Sequence, residues 1–67
     1  DIHTQVAIYN IMGQKVRILH SGVLTGGYHQ IFFDGLDDNY HPLSSGVYFY
    51  QVFTEKFFAV KKMTLIQ

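Results

Sequence analysis

The most constraining feature of the chain is a two-residue beat. β-Branched and aromatic residues alternate with polar ones over several short stretches, which are separated by clusters of Gly, Asn, Asp and Ser. A strand sends successive side chains to opposite faces, whereas an amphipathic helix repeats its apolar residues about every 3.6 positions. Helical periodicity is hard to find in any stretch. The expectation is an all-β chain.

Residues 2–9 read as a first strand, with Ile2, Thr4, Val6 and Ile8 toward a core and His3, Gln5, Ala7 and Tyr9 on the other side. Asn10-Ile11-Met12-Gly13 makes a short hairpin loop, and Gly13 supplies the positive φ on which such loops often end. The returning strand covers 15–20, with Val16 and Ile18 inward, and the chain then crosses over through a segment in which Gly26-Gly27 breaks regular pairing. A further strand is expected at about 28–34, apolar on both faces near its end because Ile31 and Phe33 share one parity and Phe32 takes the other. Residues 34–46 hold nearly every turn-former, including the only proline, Pro42, and read as a long loop with a short edge strand around 41–43.

Two strands close the chain, 47–54 and 57–66, forming an antiparallel hairpin about a tight turn at Glu55-Lys56. In the second of them Phe57, Ala59, Met63 and Leu65 share a parity with Lys61. Either a β-bulge near Lys61-Lys62 or a face turned to solvent resolves that conflict.

Composition narrows the function classes. A chain of 67 residues without cysteine has no disulfides to compensate for burying only about 60% of its unfolded surface. Its 48% hydrophobic content and zero net charge are unlike a disordered tail. Zero net charge, with basic residues scattered except for Lys61-Lys62, removes the field that nucleic-acid binders use on phosphate. Apolar runs such as 47–50 and 57–60, which no other run exceeds, fall far short of the roughly 20 residues that span a bilayer, so neither nucleic acid nor membrane insertion is expected. Because residue 1 is Asp1 and a strand follows at once, residues 1–67 read as a single domain and a fragment of a longer product.

Catalytic chemistry has few candidates. The serines sit in turn clusters, and neither a Gly-x-Ser-x-Gly elbow nor a His-Glu-x-x-His pair occurs, so no catalytic residue is assigned. His3, His20, His29 and His41 lie on separate elements without ligand spacing, and no metal or cofactor is assigned to them. Asp34, Asp37, Asp38 and Asn39 have the composition of a calcium loop, yet the alternating spacing fails at Leu36 and no ligating Glu follows. Capping of turns by these side chains is the alternative, and the sequence leaves the two open.

Three segments carry a family likeness: Ile8-Tyr9-Asn10-Ile11-Met12-Gly13-Gln14-Lys15-Val16, Gly27-Tyr28-His29-Gln30-Ile31-Phe32-Phe33-Asp34-Gly35, and Ser45-Gly46-Val47-Tyr48-Phe49-Tyr50, followed by Lys61-Lys62-Met63. Their order and spacing resemble the C-terminal sorting domain of type IX secretion cargo, whose fold is similar to the Ig-like domain of the flagellar hook-capping protein. The resemblance covers almost the whole chain. It departs at Phe33, where the family usually has Trp, and at Tyr40, where it usually has Gly. A Tyr forced to positive φ costs about 1 kcal/mol or more, so the loop is expected to be rearranged, with Tyr40 exposed as a contact residue. The family's one or two upstream strands have no counterpart here.

The resemblance implies a small Ig-like antiparallel β-sandwich lacking one or two N-terminal strands. It also implies a non-catalytic sorting role that takes a cargo through the periplasm to the cell surface, with a secretion translocon and a sortase-like peptidase as partners. Lys61, Lys62, Met63 and Leu65 correspond to the signal segment, and Gly13, Gly27, Asp34, Gly35 and Gly46 to structural turns. Lys61-Lys62 also has a plain role as charge guarding a sticky strand.

A different class of function follows from physics alone. Open strand edges pair with other chains, so the fragment is also expected to form a homo-oligomer or homopolymer, such as an extracellular tube or filament. Tyr40, Phe49, Phe53, Phe57 and Phe58 are the candidate contacts. A sugar-binding sandwich ranks below both, because the aromatics serve the core.

Overall fold

The computed structural model describes residues 2–25 and 30–66. They form one four-stranded sheet in the order β2-β1-β3-β4, every neighbouring pair antiparallel. The strands are β1 (Ile2–Tyr9), β2 (Lys15–Leu24), β3 (Gly46–Thr54) and β4 (Phe58–Leu65). No helix occurs among the described residues. The all-β antiparallel class expected from the alternation is therefore the class adopted, and the sheet is compatible with part of a small Ig-like sandwich.

The central pair carries the core. Thr4, Val6 and Ile8 on β1 stand opposite Thr54, Val52 and Tyr50 on β3, which in turn lead to Ala59 and Lys61 on β4. On this inner face Thr4, Val6, Ile8 and Tyr48 are buried, Ile8 most completely. Ile2, expected on the same face, is 45% exposed because it lies at the strand end against Leu24, beyond the reach of the packed centre. Ala7 points to the outer face yet is also buried, at a position flanked by Gln51 on β3 and Ile18 on β2.

The first hairpin differs from the sequence expectation in its return strand. β2 does not end near His20 but continues to Leu24, pairing residue by residue with the start of β1. The register shifts between Val6 and Ala7 and again between Ile8 and Tyr9. A bulge adds a residue to one strand and resets which side chains face inward. Ile18 consequently pairs with Ala7 toward the outer face, and Leu19 rather than Ile18 reaches the apolar groove.

Residues 30–34 form no strand, contrary to the expectation for 28–34; residues 26–29, and with them Gly27, lie outside the described residues. Alternation survives without pairing, because Ile31 and Phe33 both turn onto the inner face while Phe32 is 80% exposed. The expected edge strand at 41–43 is reduced to a single antiparallel bridge between Leu36 and Pro42.

The second hairpin follows the pattern closely. Its register runs unbroken from Gly46 opposite Leu65 to Phe53 opposite Phe58, so no bulge occurs at Lys61-Lys62. Both faces of β4 are open to solvent at this point instead: Lys61, on the inner side, and Lys62, on the outer side, are both exposed. Phe57 lies just before the strand, where its carbonyl accepts the Thr54 N–H at 2.8 Å and closes the turn.

Candidate functional site

The loop at 34–41 is organised by its carboxylates. Asp34 Oδ1 accepts the Leu36 N–H at 3.1 Å, and Asp37 Oδ1 accepts those of Asn39 and His41 at 2.8 and 2.9 Å. Asp38 reaches across to β2, where its Oδ1 accepts the Ile18 N–H at 3.1 Å and its own N–H donates to the Val16 carbonyl. These are turn- and edge-capping bonds of the kind short polar side chains make with the backbone. They engage one oxygen of each carboxylate that sequence alone left open to calcium.

Arg17 is the cation that gathers this loop. Its Nη1 donates to Asp34 Oδ1 and to the Leu36 carbonyl, both at 2.9 Å, with a longer bond to the Asp37 carbonyl, and its Nε lies 3.8 Å from Asp38. The guanidinium is well covered, whereas both acids are about half exposed. Each ion pair is therefore worth no more than about 1 kcal/mol, and the carbonyl bonds add to it. Sequence reasoning missed Arg17, and it weighed Asp38 only as part of an acidic loop, not as a cap on β2; the available signal was the chain's one arginine, set in a strand with an acid-rich turn beginning 17 residues on.

Asp37 is held below the ordinary carboxylate range. Its main cause is the N–H of His41, opposed by partial desolvation and helped by the N–H of Asn39 and by the charges of His41 and Arg17. The turn it caps places Tyr40 at φ 64°, the one described non-glycine residue with positive φ. The loop is thus not rearranged around Tyr40, as the sequence suggested; the ring simply stands in solvent, 75% exposed, while the backbone takes the left-handed conformation. Two Asp37-mediated bonds and a Tyr40 N–H to Asp37 carbonyl bond of 3.0 Å hold it there.

Glycine landmarks fall where the chain reverses. Gly13, at φ 82°, donates its N–H to the Asn10 carbonyl, and Asn10 Oδ1 accepts N–H bonds from Met12 and Gln14. Gly35, at φ 80°, is buried and accepts the Leu43 N–H, tying the loop ends together behind Asp34. Gly46 opens β3 opposite Leu65.

Together the loop and the sheet enclose an apolar groove of about 380 Å³. Val6, Ile8, Tyr50, Val52 and Met63 form its floor, and Leu19, Ile31 and Phe33 its wall. Met63 and Leu65 lie half-buried on the inner face, and Tyr48, opposite Met63, is anchored by its hydroxyl donating to the Ser44 carbonyl at 2.7 Å. Lys61 and Lys62 alternate, the first inward-sided opposite Tyr50, the second outward-sided opposite Phe49. The structure therefore brings Lys61, Lys62, Met63 and Leu65 onto one edge strand, with apolar anchors beneath and two ammonium groups in solvent.

The proposed contact aromatics separate into two places. Phe53 and Phe58 face each other across the outer side of the second hairpin, rings 6.3 Å apart and nearly perpendicular, with both more than half exposed. Phe49 is half-buried on the same side, and Phe57 is exposed at the hairpin tip. Tyr40 belongs to the loop beside β2, on the other side of the sheet order. Among the described residues no three His, Cys, Asp or Glu side chains gather as a metal site. No protein-family model, curated protein or solved structure matches the chain.

Proposed function

We propose that the chain is a non-catalytic sorting domain, carrying a larger cargo through the type IX secretion system to the cell surface by way of the periplasm. The observation that carries this reading is the arrangement of β4. Met63 and Leu65 pack inward while Lys61 and Lys62 stand free on a strand hydrogen-bonded on one side only among the described residues. A strand of that kind is anchored by its apolar residues and can be read along its backbone and its charges by a receptor, as in other strand-addition complexes. The order of landmarks from Asn10 to Leu65 supports the same reading. In it, the translocon is the receptor, a sortase-like peptidase removes the domain afterwards, and the cargo supplies any chemistry.

A reporter fused ahead of this domain tests the proposal. Removal of residues 61–67 is expected to leave the reporter in the periplasm, and the double change Lys61→Ala with Lys62→Ala, which spares the packed residues, to reduce display. Normal surface display of both fusions would refute it.

A further inference from the structure

The two edges of the sheet carry opposite charge. The β3–β4 hairpin holds Lys56, Lys61 and Lys62 against the single Glu55, whereas β2 and the loop that caps it hold Asp34, Asp37 and Asp38 against Lys15 and Arg17. Arg17 is already engaged with that loop, and Asp34 and Asp38 remain about half exposed on its solvent side.

Strand direction adds an independent constraint. With four strands, all neighbours antiparallel, β4 runs opposite to β2. A second copy shifted along the sheet in the same orientation therefore offers its β2 antiparallel to the first copy's β4, and the antiparallel pattern continues without reversal. The Asp38 bonds to Val16 and Ile18 close the lower part of the β2 edge, and among the described residues 19–24 remain as the segment for pairing. The symmetric alternative, β4 against β4, sets Lys61 and Lys62 near their own counterparts, and like charges directly across a ladder are destabilising.

We infer that copies of this chain assemble head to tail, the β4 edge of one pairing with the β2 edge of the next. The contact is heterologous, so it extends into a ring or filament rather than stopping at a dimer. On the outer face it brings Phe58 and Val60 of one copy toward Val23 of its neighbour, all of them exposed in the single chain. This inference goes beyond the sorting role and stands without it.

Sedimentation velocity and negative-stain electron microscopy of the 67-residue chain test the assembly. Particle size is expected to rise past two copies over about a hundredfold range of concentration, without limit for a filament and to one fixed size for a ring, and to fall as salt screens the edge charges. The pair Lys61→Glu with Lys62→Glu, whose fold is checked by circular dichroism, is expected to raise the concentration needed for assembly at least about tenfold. The milder Lys61→Gln with Lys62→Gln serves if that pair fails to fold. Because the Glu variant keeps its β2 edge, a small fraction of it added to the unmodified chain is expected to cap and shorten the assemblies. A monomer at every concentration, growth that stops at two copies, closed one-to-one dimers of the Glu variant with the unmodified chain, or assembly indifferent to both charge changes would each overturn the inference.

Discussion

The two hairpins are built from similar alternating sequence and behave as opposites. The first is irregular: its register shifts twice, its loop is knotted by Asn10, and its outer strand is partly capped by Asp38 and clasped by Arg17. The second is regular from end to end, has a short turn and an outer strand uncapped among the described residues, and leaves Phe53, Phe58 and Val60 exposed. Polar side chains that satisfy backbone groups bend and close the first; uninterrupted pairing leaves the second flat-edged and adhesive.

The difference is broken most directly at Arg17. Arg17→Ala removes the clasp and leaves the Leu36 carbonyl and the acids without their cation; a loss of about 2 kcal/mol is expected, read as a fall of roughly 8–16 °C in Tm by thermal denaturation. Asn10→Ala unties the first loop and is expected to cost about 1 kcal/mol, measured by the denaturant midpoint at unchanged slope. Tyr40→Gly moves the other way. It relieves the left-handed strain but adds unfolded-state entropy, so a gain of about 0.5 kcal/mol is expected in the same measurement.

The smallest expected effect is a pH dependence. Asp37 titrates lower in the folded chain than in the unfolded one, so its contribution is complete above the unfolded carboxylate value of about 3.9 and disappears as pH falls through the lower folded value. Asp37→Asn is expected to flatten the acid limb of the stability curve in that window, and an unchanged limb would show that the cap does not titrate with folding.

Sequence legibility follows the same division. The unbroken second hairpin was readable to within a residue at each end, because period-two alternation and a short turn determine it completely. The first strand and the Asn10–Gly13 loop were readable for the same reason. What the alternation could not reveal was a bulge, since adding one residue changes which side chain faces inward without changing composition; hence Leu19 replaces Ile18. Residues 30–34 look like a strand to any rule based on parity, and they do alternate, but nothing among the described residues pairs with them. For the candidate site, the β4 landmarks were legible as a motif, while the Arg17 clasp depends on a meeting of distant segments that no local pattern encodes. The placement of Tyr40 was foreseen as a strain and its outcome misjudged, because the Asp37 bonds outweigh it.

The central seam has a consequence in time. Each hairpin pairs residues close in sequence, but β1 meets β3 through partners 40 to 50 positions apart, from Tyr9 with Phe49 to Thr4 with Thr54. Hairpins close in about 1–10 μs, whereas a long-range seam must first meet its loop-closure entropy. Joining two preformed halves along Val6 and Ile8 is then the slow event, and substitutions at those positions are expected to slow folding more than they hasten unfolding.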